Sequence, residues 1–135
     1  MATESFPAKD RVRRQADYAR VFKTGAHAAD ATLVILGCPN PSGGSRLGVV
    51  VSRKVGNAVI RNAWKRRIRD VFRRQRDILP VGWDLVVRPR RGARLTHALI
   101  NQSLPRLAEQ VVQRYNDRLG RDAQQQAAAG TPGGE

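Results

Sequence analysis

Five residues in this chain have the types and the spacing to do one kind of chemistry together: Arg61, Asn62, Lys65, Arg66 and Arg69. Arginine grips phosphate oxygens with two N–H bonds in a fixed fork, whereas lysine offers a point charge. Asn62 adds amide donors and an acceptor. It is either a solvated polar residue or a contact to a shaped RNA or an ordered phosphate or metal-water cluster. Groups for covalent chemistry by the protein itself are sparse. Asp70 and Asp77 lie seven residues apart beside arginines that can pair with them, Asp30 and Asp84 stand alone, and His27 and His97 are isolated. No nucleophile has a base near it in sequence and no ligand cluster has metal spacing, so an autonomous active site is not expected. Tyr18 and Phe22, four apart in a chain with 5% aromatic residues, are either core packing or a platform on which single-stranded bases stack.

The stretch that must position the basic set, residues 53–76, carries ten Arg or Lys and one Asp. An apolar series (Ile60, Trp64, Ile68, Val71, Phe72, Leu79) follows helical spacing. A basic series (Arg61, Lys65, Arg69, Arg73, Arg76) runs about one position behind it. At about 100° per residue each series covers roughly a third of the helix circumference, so one side can dock while its neighbour is a cationic ridge. Asn57 is the expected N-cap, and the helix is expected to run to about Leu79 and stop at Pro80. Free N–H groups and positive partial charge at its N-terminus add to anion binding there.

Around this helix the chain predicts a short helix through RRQADYARVFKTG with Gly25 as C-cap. Residues 26–31 suit a strand or a loop equally. TLVILGC (32–38) is a buried strand, PNPSGGS a turn and RLGVVVSRK a second strand. This second strand carries Leu47, Val49 and Val51 on one face, and the two strands are expected to pair antiparallel. A further strand is expected within 81–90, with Trp83, Leu85 and Val87 alternating against Asp84, Val86 and Arg88. A final helix follows, capped by Thr96 and kinked or broken at Pro105. Trp64 and Trp83 belong to the core. The order α, β, β, α, β, α implies an α+β or α/β sandwich with one small sheet. One domain is expected over 11–119, with a flexible stretch at 1–10 and a disordered low-complexity tail at 120–135.

The 135 residues carry a net charge of +14, whose self-repulsion opposes compactness and calls for an anionic partner. Nucleic acid fits best; a membrane surface or an acidic protein fits less well. The single cysteine, Cys38, precludes an intramolecular disulfide and suits a small buried hydrophobe. No apolar run approaches the ~18 residues of a membrane span, and the N-terminus has no signal-peptide stretch. A soluble, cytoplasmic setting is expected.

RLGVVVSRKVGNAVIRNAWKRRIRD resembles the signature region of the bacterial ribonuclease P protein subunit. That pattern is a strand ending in a basic pair, a short turn, and then R-N-x-x-K-R-x-x-R followed by an acid or amide. Arg53 and Lys54 match the pair. Arg61, Asn62, Lys65, Arg66 and Arg69 fill the fixed positions, and Asp70 follows them. Ala63 stands where the motif often has a further Arg. The resemblance extends in order over roughly residues 11–118. It implies a two-layer α–β sandwich with a left-handed βαβ crossover, of a kind shared with a ribosomal protein domain. It also implies a subunit that binds a large catalytic RNA, with the holoenzyme removing 5′ leaders from precursor tRNA and Mg²⁺ bound mainly by the RNA. Arg53, Lys54 and the basic helix would face that RNA, while Tyr18 and Phe22 match aromatic positions of a cleft for the single-stranded leader. A structural RNA-binding protein of ribosomal type is the alternative. A helix-in-major-groove DNA binder is disfavoured, because dimerisation heptads are absent.

Overall fold

The computed structural model describes residues 8–130. Seven main elements follow one another: α1 (Gln15–Thr24), β1 (Ala26–Ala29), β2 (Leu33–Pro39), β3 (Arg46–Val49), α2 (Ala58–Arg74), β4 (Trp83–Pro89) and α3 (His97–Gly130). The strands form one mixed sheet in the order β1-β2-β4-β3. β1 and β4 each pair antiparallel with β2, and β3 runs parallel to β4 with Leu47 opposite Leu85.

This order corrects one expectation. β2 and β3 run in opposite directions but do not pair, because β4 lies between them. The apolar pattern explains the choice. β4 reads Trp83, Asp84, Leu85, Val86, Val87 with every side chain buried, which suits a central strand covered on both faces. The β3–α2–β4 connection is therefore a parallel βαβ unit, matching the crossover that the resemblance implies.

Two helices cover one face of the sheet and one covers the other. Leu33, Ile35, Leu47, Leu85 and Val87 meet Trp64, Ile68, Val71 and Phe72 of α2 and Ile100, Leu104, Leu107 and Val111 of α3 in the main core. Each of the fully buried large side chains contributes about 2–3 kcal/mol by leaving water. On the opposite face Val21 of α1, Cys38 and Val86 make a smaller cluster, flanked by Tyr18, Leu36 and Val50. Trp64, Trp83 and Cys38 are all buried, as expected.

Local details differ from the sequence expectations for physical reasons. Gly25 does cap α1, but in extended backbone rather than left-handed, and its N–H bonds the Val21 carbonyl. Glycine is needed there because a Cβ would lie 2.5 Å from the Val21 carbonyl oxygen and 2.8 Å from that of Gly37. The Thr24 carbonyl, left over at the helix end, accepts from Arg118 of α3. Residues 26–29 resolve as a strand with Ala26 and Ala28 facing inward. α2 ends at Arg74 and gives way to a 3₁₀ turn, Arg76–Ile78, so it is shorter than expected. Pro105 lies inside α3, which continues as one helix to Gly130 with residues 120–127 exposed; residues 131–135 of the expected tail and 1–7 of the expected flexible N-terminal stretch lie outside the described residues. At the other end Ala8–Asp10 form a 3₁₀ turn, and Arg11 bridges to Leu47 at the free edge of β3.

Candidate nucleic-acid interface

The ridge begins with the cap. Asn57 Oδ1 accepts from the Ile60 N–H at 3.0 Å, satisfying one of the otherwise unpaired donors of the first turn of α2. Burial of Trp64, Ile68, Val71 and Phe72 then fixes the rotation of the helix. Ile60, placed in the apolar series by spacing, is instead 42% exposed beside Gly56, so the docking face begins one turn later. The fixed rotation leaves Asn62 and Arg66 exposed and Arg61, Lys65 and Arg69 half-buried along the flank. Arg53 and Lys54 stand exposed in the turn that precedes the helix.

The two halves of the basic series differ. Arg73 and Arg74 are engaged by Asp70 at 2.9 and 3.1 Å. Burial pushes the Asp70 carboxyl up, but hydrogen bonds and charge from these two arginines outweigh that and hold it below its ordinary range. Arg76 pairs with Asp10 at 2.9 Å and lies over the Phe72 ring. Among the described residues Arg61, Lys65, Arg66 and Arg69 have no carboxylate partner. On α2 the unpaired charge thus lies toward the N-terminal part, at the four cationic motif positions and Arg67, and Arg53 and Lys54 add to it in the turn before the helix. Burial, and then the charge of Arg11, depress the pKa of Arg69, with Tyr18 acting in the opposite sense. Such a cation is stabilised by an arriving anion.

Arg69 also joins the ridge to the aromatic pair. Tyr18 is half-buried against the sheet, its hydroxyl over Gly48, where an added Cβ would lie 2.8 Å from it. Burial raises its pKa and the Arg69 charge opposes that shift. Phe22 is 49% exposed, and the two rings stack with centroids 6.4 Å apart at 28°. Tyr18 therefore belongs partly to the second core cluster, while Phe22 faces outward. Next to Tyr18 the sheet offers half-buried aliphatic side chains, Leu36 and Val50.

The acids expected to be isolated are not. Asp84 is fully buried and accepts from Arg46 Nε and Nη2, both at 2.7 Å, from Asn40 Nδ2 at 2.8 Å, and from Arg20. This carboxylate ties α1, the turn after β2, β3 and β4 together. Its signal was in the sequence: an aspartate inside an apolar strand must find partners if both faces are buried. Asp30 accepts from the Thr32 and Leu33 N–H groups and from Arg106 of α3. Asp77 lies past the helix in the 3₁₀ turn. His97 opens α3 and His27 points outward from β1. Among the described residues no group of three or more His, Cys, Asp or Glu could hold a metal ion, and no helix is long and apolar enough to cross a membrane.

Residues 6–112 match the family model for ribonuclease P. The chain is 43% identical over 89 residues to the ribonuclease P protein component of Thermotoga maritima, covering 66% of this chain and 76% of the relative. It is 38% identical over 96 residues to that of Brevibacillus brevis, covering 70% and 76%. The structure resembles the RNase P protein from Thermotoga maritima with a TM-score of 0.69 at 35% identity, over 75% of this chain and 96% of that one. It resembles the Staphylococcus aureus RNase P protein with a TM-score of 0.65 at 35% identity, over 77% and 93%. The motif register on α2, the fold that presents it and these likenesses agree: the chain belongs to the ribonuclease P protein component family.

Proposed function

We propose that this chain is the cytoplasmic protein subunit of ribonuclease P, holding the catalytic RNA on the α2 ridge and the 5′ leader of precursor tRNA beside α1. The observation that carries the proposal is the segregation of charge on α2. The motif cations Arg61, Lys65, Arg66 and Arg69 have no carboxylate partner among the described residues, while Arg73, Arg74 and Arg76 beyond them are paired. Arg53 and Lys54 extend the free set around the helix N-terminus, and Asn62 supplies amide hydrogen bonds there. Tyr18 and Phe22 offer stacking surface to single-stranded bases next to Arg69.

Cleavage is assigned to the RNA, whose Mg²⁺ supplies an activated water and a Lewis acid for the leaving oxygen. The protein lowers phosphate repulsion between two RNAs and holds the leader in place.

The test combines the purified protein with a bacterial catalytic RNA and a leader-bearing precursor tRNA. Cleavage at physiological Mg²⁺ that neither component gives well alone is expected. Binding to the RNA without that gain would instead indicate a structural protein of ribosomal type. Arg61→Ala and Arg69→Ala should each weaken assembly about tenfold and flatten its salt dependence. Unchanged assembly in both at low Mg²⁺ would remove the ridge from the interface. Tyr18→Ala should weaken leader-bearing substrate about tenfold and spare mature tRNA; equal losses for both would sink the cleft assignment.

A further inference from the structure

A cavity of about 420 Å³ lies where the chain enters the domain, lined by Lys9, Arg11, Arg13, Arg14, Asp17 and Arg46. Its walls come from three places. The incoming segment runs along the free edge of β3, with the Val12 N–H donating to the Leu47 carbonyl at 3.0 Å. The first turn of α1 supplies Arg14 and Asp17, and the first residue of β3 supplies Arg46.

The charges in it are badly unbalanced. Besides Arg46, whose charge Asp84 meets, Lys9, Arg13 and Arg14 face a single carboxylate in the lining, and Asp17 is already shared between Arg20 at 3.1 Å and Arg46 at 3.6 Å. Asp10, the next acid, is held by Arg76. Among the described residues Lys9, Arg13 and Arg14 have no ion-pair partner. Arg46, by contrast, is clamped by its two bonds to buried Asp84, so one wall is rigid. A concave cluster of arginines around a fixed guanidinium suits an anion that accepts several hydrogen bonds at once, which is the chemistry of a phosphate.

Position along α1 identifies the phosphate. Arg14, Tyr18 and Phe22 stand at i, i+4 and i+8, about 6 Å per step along the helix axis. That step is comparable to the phosphate-to-phosphate distance of an extended strand. We propose that the cavity is a phosphate subsite for the single-stranded RNA that stacks on Tyr18 and Phe22, gripping its backbone beyond the aromatic pair at the β3 edge. This rests on the leader-binding role given to those two residues. It adds a second cationic site separate from the α2 ridge.

The test uses the full chain without the catalytic RNA, so that failure of the ridge assignment cannot be confused with failure of this one. The probe is a short single-stranded RNA of leader length, and the variant is R13Q/R14Q, which alters two exposed side chains. A control, R91Q/R94Q, removes the same charge from the loop after β4, at the far end of the sheet from Arg46. Affinity is expected to fall about tenfold in R13Q/R14Q, with the slope of log Kd against log salt reduced by about 0.7 for each phosphate no longer neutralised. The control should change both much less. Inorganic pyrophosphate should compete with the RNA for the wild-type chain and lose that effect in R13Q/R14Q. Equal losses in the two double variants would reduce the cavity to general charge and overturn the proposal. Pyrophosphate binding that R13Q/R14Q abolishes, with RNA affinity intact, would assign the cavity to a free anion and overturn it too.

Discussion

Asp84 and Asp30 show what single carboxylates contribute in a chain this basic. Asp84 is fully buried and neutralises parts of two arginines, so its loss leaves Arg46 and Arg20 without their principal counter-charge. Asp84→Asn should cost about 3 kcal/mol, seen as a lower urea midpoint at unchanged slope. A loss within error would mean that Asp17 alone suffices for both guanidiniums. Asp30 carries a pH signature. Burial pushes its carboxyl up, but hydrogen bonds from Ser103, the Leu33 and Thr32 N–H groups and Arg106 outweigh it and hold the pKa below the ordinary range. A group depressed on folding stabilises fully above its unfolded pKa, about 4, and loses that contribution as pH falls through the folded value. Asp30→Asn should therefore be less stable than the parent chain by about 1–2 kcal/mol at neutral pH, with the gap closing below pH ~4. Urea midpoints over a pH series check this, and a gap that persisted in acid would contradict it. That Asp84 needs partners was legible from its apolar strand, but which partners was not, because those of Asp84 lie 38 to 64 positions away and Arg106 lies 76 from Asp30.

At the scale of elements, α3 explains how a proline survives inside a helix. Pro105 has no N–H, so the carbonyl of Asn101, four residues back, lacks its helical partner. Gln75, just past the end of α2, donates its Nε2 to that carbonyl at 2.7 Å and to the Asn101 side chain at 2.9 Å. The expected break is thus bridged from outside, and the bridge also docks α2 on α3. Gln75→Ala should cost about 1 kcal/mol in the parent chain and well under half of that in a Pro105→Ala background, where the Asn101 carbonyl regains a helical donor. A double-mutant cycle by chemical denaturation measures the coupling; additive costs would show that Gln75 serves something else. The helices themselves were legible, since Asn57, Thr96 and the apolar periods are local signals. The Gln75 bridge was not, because a capping partner from another helix leaves no spacing to find.

Over the whole molecule, charge and topology act together. A net +14 repels itself at low ionic strength, where the screening length is about 30 Å and spans much of the domain. The melting temperature should rise by several degrees from about 10 mM to about 500 mM sodium chloride, because screening relieves that repulsion. A flat or falling melting temperature would show that the ion pairs, weakened by the same salt, outweigh it. Topology decides where the charge meets the aromatics. α1 lies on one face of the sheet and α2 and α3 on the other, and Arg69 passes close to Tyr18 and Arg11 at the β3 edge.

The sequence by itself determined the three helices, the strands β2 and β4, most of the face that each buries and the register of Arg61, Asn62, Lys65, Arg66 and Arg69, since these are set by side chains within a few turns of one another. Tertiary structure alone decided that β4 separates β2 from β3, that Asp84 gathers Arg20, Arg46 and Asn40, and that Arg46 meets Lys9, Arg13 and Arg14 around a cavity. A local pattern says which side of an element must be covered. Which element covers it depends on how all the apolar faces close over one core at once, and no residue's near neighbours carry that information.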